Sequence, residues 1–334
     1  MNDTGSPAAS VDLLVVGAGP TGLAIGAEAL RAGLTTLVVD RGAITQALQE
    51  FPTDMTFFST RERLAIAGIP FSIPEERPTR RQALAYYRSV AEALRVPLAL
   101  HEEVTAIRKD GEGFAVATSG RAGDRVRRSR AVAIAIGYFD TPRRLGVPGE
   151  EPPAVRHRYR EPYAHYRERV VVVGGGNSAA EAALDLWRAG ARVVLVHRGR
   201  ALKETVKYWL RPDFENRVAA GEIEARYETR VSRFEPGRVR ATGPGGEEAI
   251  PADCTYVLLG YDPDLAFVRA CGIAVDPATG IPVCDPESFE TEIPGLYVAG
   301  SLQAGYATNR IFIENSREHA PRLVAHLARR LGRA

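Results

Sequence analysis

The chain has 334 residues, 45% of them apolar and 25% charged, with a formal net charge of +2. That balance excludes a disordered or collagen-like chain and gives no basic field for nucleic acid or a membrane surface. At ~150 residues per domain, the length predicts roughly two domains.

Met1–Ser10 is small and polar and has neither the basic nor the apolar region of a signal peptide. The run Val11–Leu30 carries Asp12 and Glu28 and is broken by Gly17, Gly19, Pro20 and Gly22, so it makes a poor transmembrane span. Within that run, Leu13–Val16 reads as a buried strand. It enters the turn Gly17-x-Gly19-Pro20-Thr21-Gly22, followed by a helix over Leu23–Ala32 and a strand over Thr35–Val39 that ends at Asp40.

Short strand patterns follow at His101–Lys109, Gly113–Ser119 and Arg125–Ser129, and then the buried run Ala131–Gly137. The Pro/Gly-rich stretch Thr141–Pro153 marks a crossing to a second unit. That unit repeats the design: a strand over Arg169–Val173, the turn Gly174-Gly-Gly176-Asn177-Ser178-Ala179, a helix through Ala189, and a strand over Ala191–Val196 ending in His197-Arg198-Gly199-Arg200. Ile223–Arg226, Val231–Phe234 and Arg238–Thr242 read as a small meander returning to the buried strand Cys254–Gly260. The chain closes with a strand ending at Gly300-Ser301, a loop, and a helix from about Ile311 to Arg330.

Each motif glycine has a mechanical reason. The first makes the tight turn, the second admits a pyrophosphate, and the third position, Gly22 or Ala179, lets helix and strand pack closely. The helix N-terminus then offers N–H groups and a positive dipole end. The fold class is therefore α/β, with two Rossmann-like dinucleotide-binding domains. Residues 1–142 and 262–334 form a discontinuous FAD-binding domain, and 143–261 an NADPH-binding domain.

The two ligands are assigned by the ends of the second strands. Asp40 lies 23 residues after Gly17, accepts from ribose hydroxyls and repels a 2′-phosphate. His197, Arg198 and Arg200 favour a 2′-phosphate. The FAD candidates are thus Gly17, Gly19, Pro20, Thr21, Gly22, Asp40, Arg41, Val104, Ala135, Gly137, Gly300, Ser301 and Ile311. The NADPH candidates are Gly174, Gly176, Asn177, Ser178, Ala179, His197, Arg198, Arg200 and Gly260. The last helix would point its N-terminus at the reduced flavin ring.

From Asp12 to Leu331 the chain resembles the low-molecular-weight thioredoxin reductase-like flavoproteins, and more closely the bacillithiol disulfide reductase (YpdA) family. Phe51–Thr60, Ala85–Ala91, Ile136–Pro142, Lys207–Asn216 and Ile311–His319 carry the likeness. The resemblance implies an NADPH-dependent FAD oxidoreductase acting on a low-molecular-weight thiol disulfide, commonly a homo-oligomer. It also places Glu181 where a helix carboxylate approaches the nicotinamide.

Two departures stand out. Thioredoxin reductases carry Cys-x-x-Cys before the second glycine motif, whereas Arg156–His165 here holds no cysteine. Bacillithiol-type members often carry a cysteine in the first motif, where this chain has Thr21, and a hydroxyl forms no mixed disulfide.

The catalytic residue is left open among His319, Cys284 and Cys271, with His157 and His165 as other proton-donor candidates; Cys254 reads as a buried strand residue. The cysteines are far apart, which excludes a disulfide scaffold or a cysteine zinc site, and they fit a reducing cytosol. No metal site is expected. Phe57-Phe58 could cover the flavin, Lys207-Tyr208-Trp209 the nucleotide side or a partner, and Arg156, Arg158, Arg160 and Tyr159 read as a solvated basic edge. Competing functions are a ferredoxin or flavodoxin–NADP reductase, a flavin monooxygenase (weakened by Glu151 and Pro153 at its Phe-x-Gly positions) and a low-turnover flavin-binding redox sensor.

Overall fold

The computed structural model describes Ser10–Arg333 except Pro152 and Ala154. The reading of Met1–Ser10 as lacking signal-peptide features falls mostly outside that range. In chain order the elements begin with β1 (Val11–Val16), α1 (Pro20–Arg31), β2 (Thr36–Asp40), α2 (Gln46–Gln49), α3 (Arg61–Leu64), α4 (Arg80–Ala93), β3 (Leu98–Leu100), β4 (Glu102–Asp110), β5 (Gly113–Gly120) and β6 (Arg125–Ile134). Then come β7 (Thr141–Pro142), β8 (Val155–Arg156), β9 (Arg169–Val173), α5 (Asn177–Arg188), β10 (Arg192–Val196), α6 (Arg211–Ala219), β11 (Ile223–Arg226), β12 (Arg230–Glu235), β13 (Arg238–Gly243), β14 (Gly246–Pro251) and β15 (Cys254–Val257). The chain ends with β16 (Tyr261–Asp262), α7 (Leu265–Ala270), β17 (Leu296–Val298), α8 (Ile313–Ser316) and α9 (His319–Arg330).

These elements form two compact units. Among the described residues, one holds those up to Gln49, Asp54–Asp140 and those from Asp262; the other holds Glu50–Thr53 and those from Thr141 to Tyr261.

The first unit is built on one sheet in the order β3-β2-β1-β6-β5-β4, with β17 on β6. Its strands β3, β2, β1, β6 and β17 run parallel. Leu13, Leu14 and Val15 are fully buried because both faces of these strands are covered, which explains the unbroken apolar run.

Here the structure corrects one division. Arg125–Ser129 and the following apolar run are a single strand, β6. Its first half pairs antiparallel with β5 and its second half parallel with β1, so the meander and the dinucleotide sheet share a strand.

The second unit has a parallel sheet, β11-β10-β9-β15-β8, and a separate antiparallel sheet, β12-β13-β14. Ile223–Arg226 therefore belongs to the parallel sheet, paired Val193↔Ile223 through Val196↔Arg226, and not to the meander. The meander's third strand is Gly246–Pro251. Val170, Val172 and Leu195 pack in a cluster with α5, whereas Val171, Val173 and Val196 pack in another with the meander residues Phe234, Val239 and Ile250. That alternation is the period of two expected of a strand covered on both faces.

The terminal helix is also divided. It breaks into α8 and α9, so His319 is the first residue of a helix rather than a position within one. Among the described residues, no helix is long and apolar enough to cross a membrane.

Candidate functional site

In the first unit the glycine turn is fixed by backbone bonds. Gly17 donates its N–H to Val39 O at 2.7 Å, and Ala135 donates to Val16 O at 2.8 Å. Gly17 has φ +106°, and a Cβ there would stand 2.6 Å from Ala135 O, so no other residue fits. A Cβ on Gly22 would stand 1.8 Å from Gly17 O, which is the close helix–strand packing anticipated for the third glycine.

Gly19 is different: a Cβ there would meet nothing within 4 Å. It precedes α1, which starts at Pro20 and whose N-terminus has no side-chain cap. The turn thus offers free space beside helix N–H groups that lack partners within the helix. Asp40 closes the cradle. Its two carboxylate oxygens accept from Ala18 and Gly42 N–H, each at 2.7 Å, while burial pushes its carboxyl above the usual range. These features fit the adenosine and pyrophosphate parts of FAD.

The remaining first-unit candidates are placed as follows. Arg41 is half-exposed and pairs with Asp140 at 2.8 Å. Val104 is buried in the core with Val16 and Val39. Gly137 has φ +69°, and its Cβ position lies 3.6 Å from Ser301 Oγ. Gly300 has φ +78° and meets Thr21, whose Oγ1 would lie 3.0 Å from a Cβ there. Thr21 Oγ1 also faces the buried Ser316 Oγ at 3.1 Å. Ile311 lies in the segment before α8.

His319 belongs to this corner. Its Nδ1 accepts the Gly300 N–H at 3.1 Å, and its ring stacks on Phe289 at 4.3 Å. Burial first, and Arg322 second, hold its pKa down at about 4. The ring is therefore neutral near pH 7 and serves to hold Gly300.

The cysteines sit elsewhere. Cys271 packs in the core with Leu265, Val268 and Ile273, and burial pushes its thiol up to about 11. Cys284 Sγ accepts from Gln303 Nε2 at 3.6 Å, and burial with Asp285 and Glu292 likewise pushes it up to about 11. Cys254 is buried in β15, and burial also raises its thiol. At neutral pH all three are thiols rather than the nucleophilic thiolate.

The second unit repeats the first turn bond for bond. Gly174 donates to Val196 O at 3.0 Å, and Leu258 donates to Val173 O at 2.8 Å. Gly174 has φ +154°, and a Cβ there would stand 2.5 Å from Leu258 O and 2.9 Å from the buried Ala179 Cβ. Gly176, like Gly19, faces open space ahead of a helix with no side-chain cap. Ser178 is exposed and Glu181 half-buried on α5; Gly260 has φ +95° and its carbonyl accepts from Arg143 N at 2.9 Å.

His197 is buried, with Gly175 and Gly199 against its ring: a Cβ on either would stand 2.5 Å or 2.8 Å from it. Burial first, then Lys203 and Arg198, lower its pKa, so two cations stand near this neutral ring. Arg200 is 90% exposed and pairs with Glu228 at 3.2 Å.

Sequence reasoning missed Lys203. It named Lys207 as a candidate for the nucleotide side, but not the way the loop bonds back onto the turn, through Lys203 N to Gly175 O at 2.8 Å and Lys207 N to Asn177 Oδ1 at 2.9 Å. The signal was a lysine six residues past His197. Within this unit the Arg156–Arg160 strip is not a solvated edge throughout: Tyr159 is buried, and Arg158 and Arg160 stand 3.9 Å and 3.6 Å from Glu50. His165 is also buried, bonded to Glu168 and Tyr256.

The family described as pyridine nucleotide-disulphide oxidoreductase matches residues 14–300. Bacilliredoxin reductase Bdr of Bacillus subtilis (strain 168) is 34% identical over 320 residues, spanning 95% of this chain and 97% of that protein. The solved structure of bacillithiol disulfide reductase Bdr (YpdA) from Bacillus cereus superposes with a TM-score of 0.94 at 35% identity, covering 96% of this chain and 100% of that one. Thioredoxin reductase of T. acidophilum shares the fold, with a TM-score of 0.75 at 20% identity over 96% of this chain and 99% of that one.

Proposed function

The chain belongs to the pyridine nucleotide-disulphide oxidoreductase family and is an FAD- and NADPH-dependent oxidoreductase of thioredoxin reductase-like fold; on that premise we propose that it reduces a low-molecular-weight thiol disulfide of the bacillithiol disulfide kind. The observation that carries the cofactor placement is the duplicated turn, in which Gly17 and Gly174 press against Ala135 O and Leu258 O in the same way. When bound, NADPH supplies a hydride to FAD, and the flavin supplies two electrons to the acceptor.

In this reading the first unit holds FAD. The N-terminus of α1 faces its pyrophosphate and Asp40 its ribose. The second unit holds NADPH, with α5 at the pyrophosphate and Arg198 and Lys203 at the 2′-phosphate. Gly300, held by His319, and Thr21, held by Ser316, shape the flavin side without offering sulfur. The acceptor's S–S bond then breaks into two thiols, using two electrons from NADPH and two protons, one of them carried by the reductant and one taken from solvent. No mixed disulfide with the protein forms.

A second reading, electron transfer to ferredoxin or flavodoxin, draws support from Thr21, because such transfer needs no protein thiol. Steady-state NADPH oxidation by the yellow protein distinguishes them. Turnover with bacillithiol disulfide above that with ferredoxin, flavodoxin or no acceptor supports the first reading. Turnover with the electron-transfer proteins alone overturns it in favour of the second.

A further inference from the structure

The loop that follows β10 is fastened to the second unit's glycine turn at two places. At one end, Lys203 N donates to Gly175 O at 2.8 Å. At the other, Lys207 N donates to Asn177 Oδ1 at 2.9 Å, and Asn177 Nδ2 donates to Thr205 O at 3.3 Å. Gly175 and Asn177 flank Gly176, the position that faces open space ahead of α5. The two fastenings therefore lie on either side of the residue that leads into the helix end.

Asn177 is the first residue of α5. An asparagine that caps a helix stands one residue earlier and accepts from the helix's own N–H groups. Here α5 has no side-chain cap, and both polar atoms of the Asn177 amide go to the loop instead. The amide suits that task, because its oxygen accepts from an N–H while its nitrogen donates to a carbonyl; an ionised carboxylate only accepts.

The loop between these points is braced as well. Leu202 and Val206 are each 4% exposed and belong to the same core cluster as Ala180, Ala183 and Leu184 of α5. Val206 N donates to Lys203 O at 3.0 Å, and Arg211 at the start of α6 donates to the same carbonyl at 2.6 Å. Lys203 itself is exposed. The glycine that accepts its N–H also lies against the His197 ring, 2.5 Å from a Cβ placed there. Lys203 is thus anchored beside the end of β10, where ribose recognition takes place in this fold.

We propose that Asn177 is a positioning residue of the second unit: by holding Thr205 and Lys207 it keeps Lys203 in place for the 2′-phosphate, and so sets the preference for NADP+ over NAD+ without touching that phosphate. This rests on the reading that Arg198 and Lys203 receive the 2′-phosphate. Asn177 carries no charge, so it acts on that anion through the cation it holds. A loop fastened at both ends needs no ordering when the ligand arrives. Released at Asn177, Lys203 is fastened to the turn at Gly175 alone, and binding the phosphorylated carrier must then order the loop. NAD+ has no 2′-phosphate, does not call on Lys203 and is little affected.

The test uses the intact yellow protein and the dissociation constants of NADP+ and NAD+ by calorimetry, in wild type, Asn177→Ala, Lys203→Ala and the double variant. The ratio of the two constants measures the preference. Asn177→Ala should lower it roughly fivefold, the share of one or two neutral hydrogen bonds, with NAD+ binding changed by less than about twofold. If Asn177 acts through Lys203, the double variant should match Lys203→Ala within about twofold. Hydrogen exchange should quicken at Lys207 N–H in Asn177→Ala, while β10 and the rest of α5 keep their protection. Should exchange quicken throughout the unit, Asn177→Ser, too short to bridge Thr205 and Lys207, carries the same measurement.

An unchanged preference in the Asn177 variants, with Lys203→Ala losing it, overturns the positioning role and leaves the nucleotide reading intact. Equal weakening of both nucleotides, or losses that multiply in the double variant, shows Asn177 acting apart from Lys203 and also overturns it. A wild type without preference, or one that Lys203→Ala does not alter, overturns the reading at the 2′-phosphate and the proposal with it.

Discussion

Thr21 Oγ1 and Ser316 Oγ lie 3.1 Å apart and tie the first turn of α1 to α8 across 295 residues of sequence. Ser316 is 2% exposed and Thr21 partly buried, so burial on the Ser316 side shields this bond. Gly300 completes the corner, its α-carbon facing the Thr21 side chain and its N–H bonded to His319. The consequence is chemical as well as structural. The place where related flavoproteins can present sulfur is taken here by two hydroxyls that satisfy each other.

Thr21→Cys should convert this corner into a reactive one. Exposed to a low-molecular-weight disulfide at neutral pH, the variant should gain one adduct at position 21 by intact mass and peptide mapping. The wild type should gain none at Cys271 or Cys284, whose thiols burial holds up at about 11. Replacing all three native cysteines by serine should leave NADPH turnover with the true acceptor within about twofold, since no thiolate takes part. A loss of an order of magnitude or more would contradict the thiol-free mechanism.

His319 should make the protein acid-sensitive. Its pKa is about 4 in the folded chain, below the ordinary value of 6.5, because the ring is buried. Between those values the unfolded chain binds the extra proton, so stability is lost as pH falls from about 6.5 towards 4. Denaturant titrations should show about 2 kcal/mol less stability at pH 5 than at pH 7.5 from this group. His319→Gln should remove that share of the pH dependence while leaving the rest.

The two glycine turns should fail separately. Gly17→Ala puts a methyl 2.6 Å from Ala135 O at φ +106°, and Gly174→Ala puts one 2.5 Å from Leu258 O at φ +154°. Each strains its own turn by about 1–3 kcal/mol before the clash is counted. The first variant should purify with little flavin by visible absorbance. The second should remain yellow but bind NADP+ at least about tenfold more weakly.

Nucleotide preference should rest on Lys203 and Arg198 more than on Arg200. The first two stand near His197, whereas Arg200 is turned to Glu228. Lys203→Ala and Arg198→Ala should each lower the ratio of kcat/KM for NADPH over NADH by roughly tenfold or more, the value of a charge-assisted bond. Arg200→Ala should change it by less than about threefold. Equal losses for all three would show that Arg200 swings in on binding.

The duplicated turns were legible in the sequence because their requirements are local: a positive φ, a carbonyl in contact, and an apolar run covered on both faces each demand particular residue types. Asp40 was legible because strand length fixes its distance from Gly17. Ile223–Arg226 was misplaced because four residues show no period that separates a parallel core strand from a meander strand. The break between α8 and α9 was hidden because the amphipathic pattern continues across it. The Lys203–Lys207 loop closes through backbone N–H groups, which side-chain identity does not announce. Tyr159 and Asp185 meet across 26 residues, and nothing in either segment names the other.

β6 pairs antiparallel with β5 and parallel with β1 within one sheet, and this makes its length inflexible. Arg125–Ser129 is paired in the meander, and the same strand runs on to Ile134, which fixes Ala135 beside Gly17. Removing one residue between Ser129 and Ile134 would turn Val132 and Ile134 onto the opposite face and pull Ala135 away from the Gly17 turn. Insertions can accumulate at the exposed β5–β6 hairpin tip, but the ten residues after it form a ruler that sets the cradle's depth.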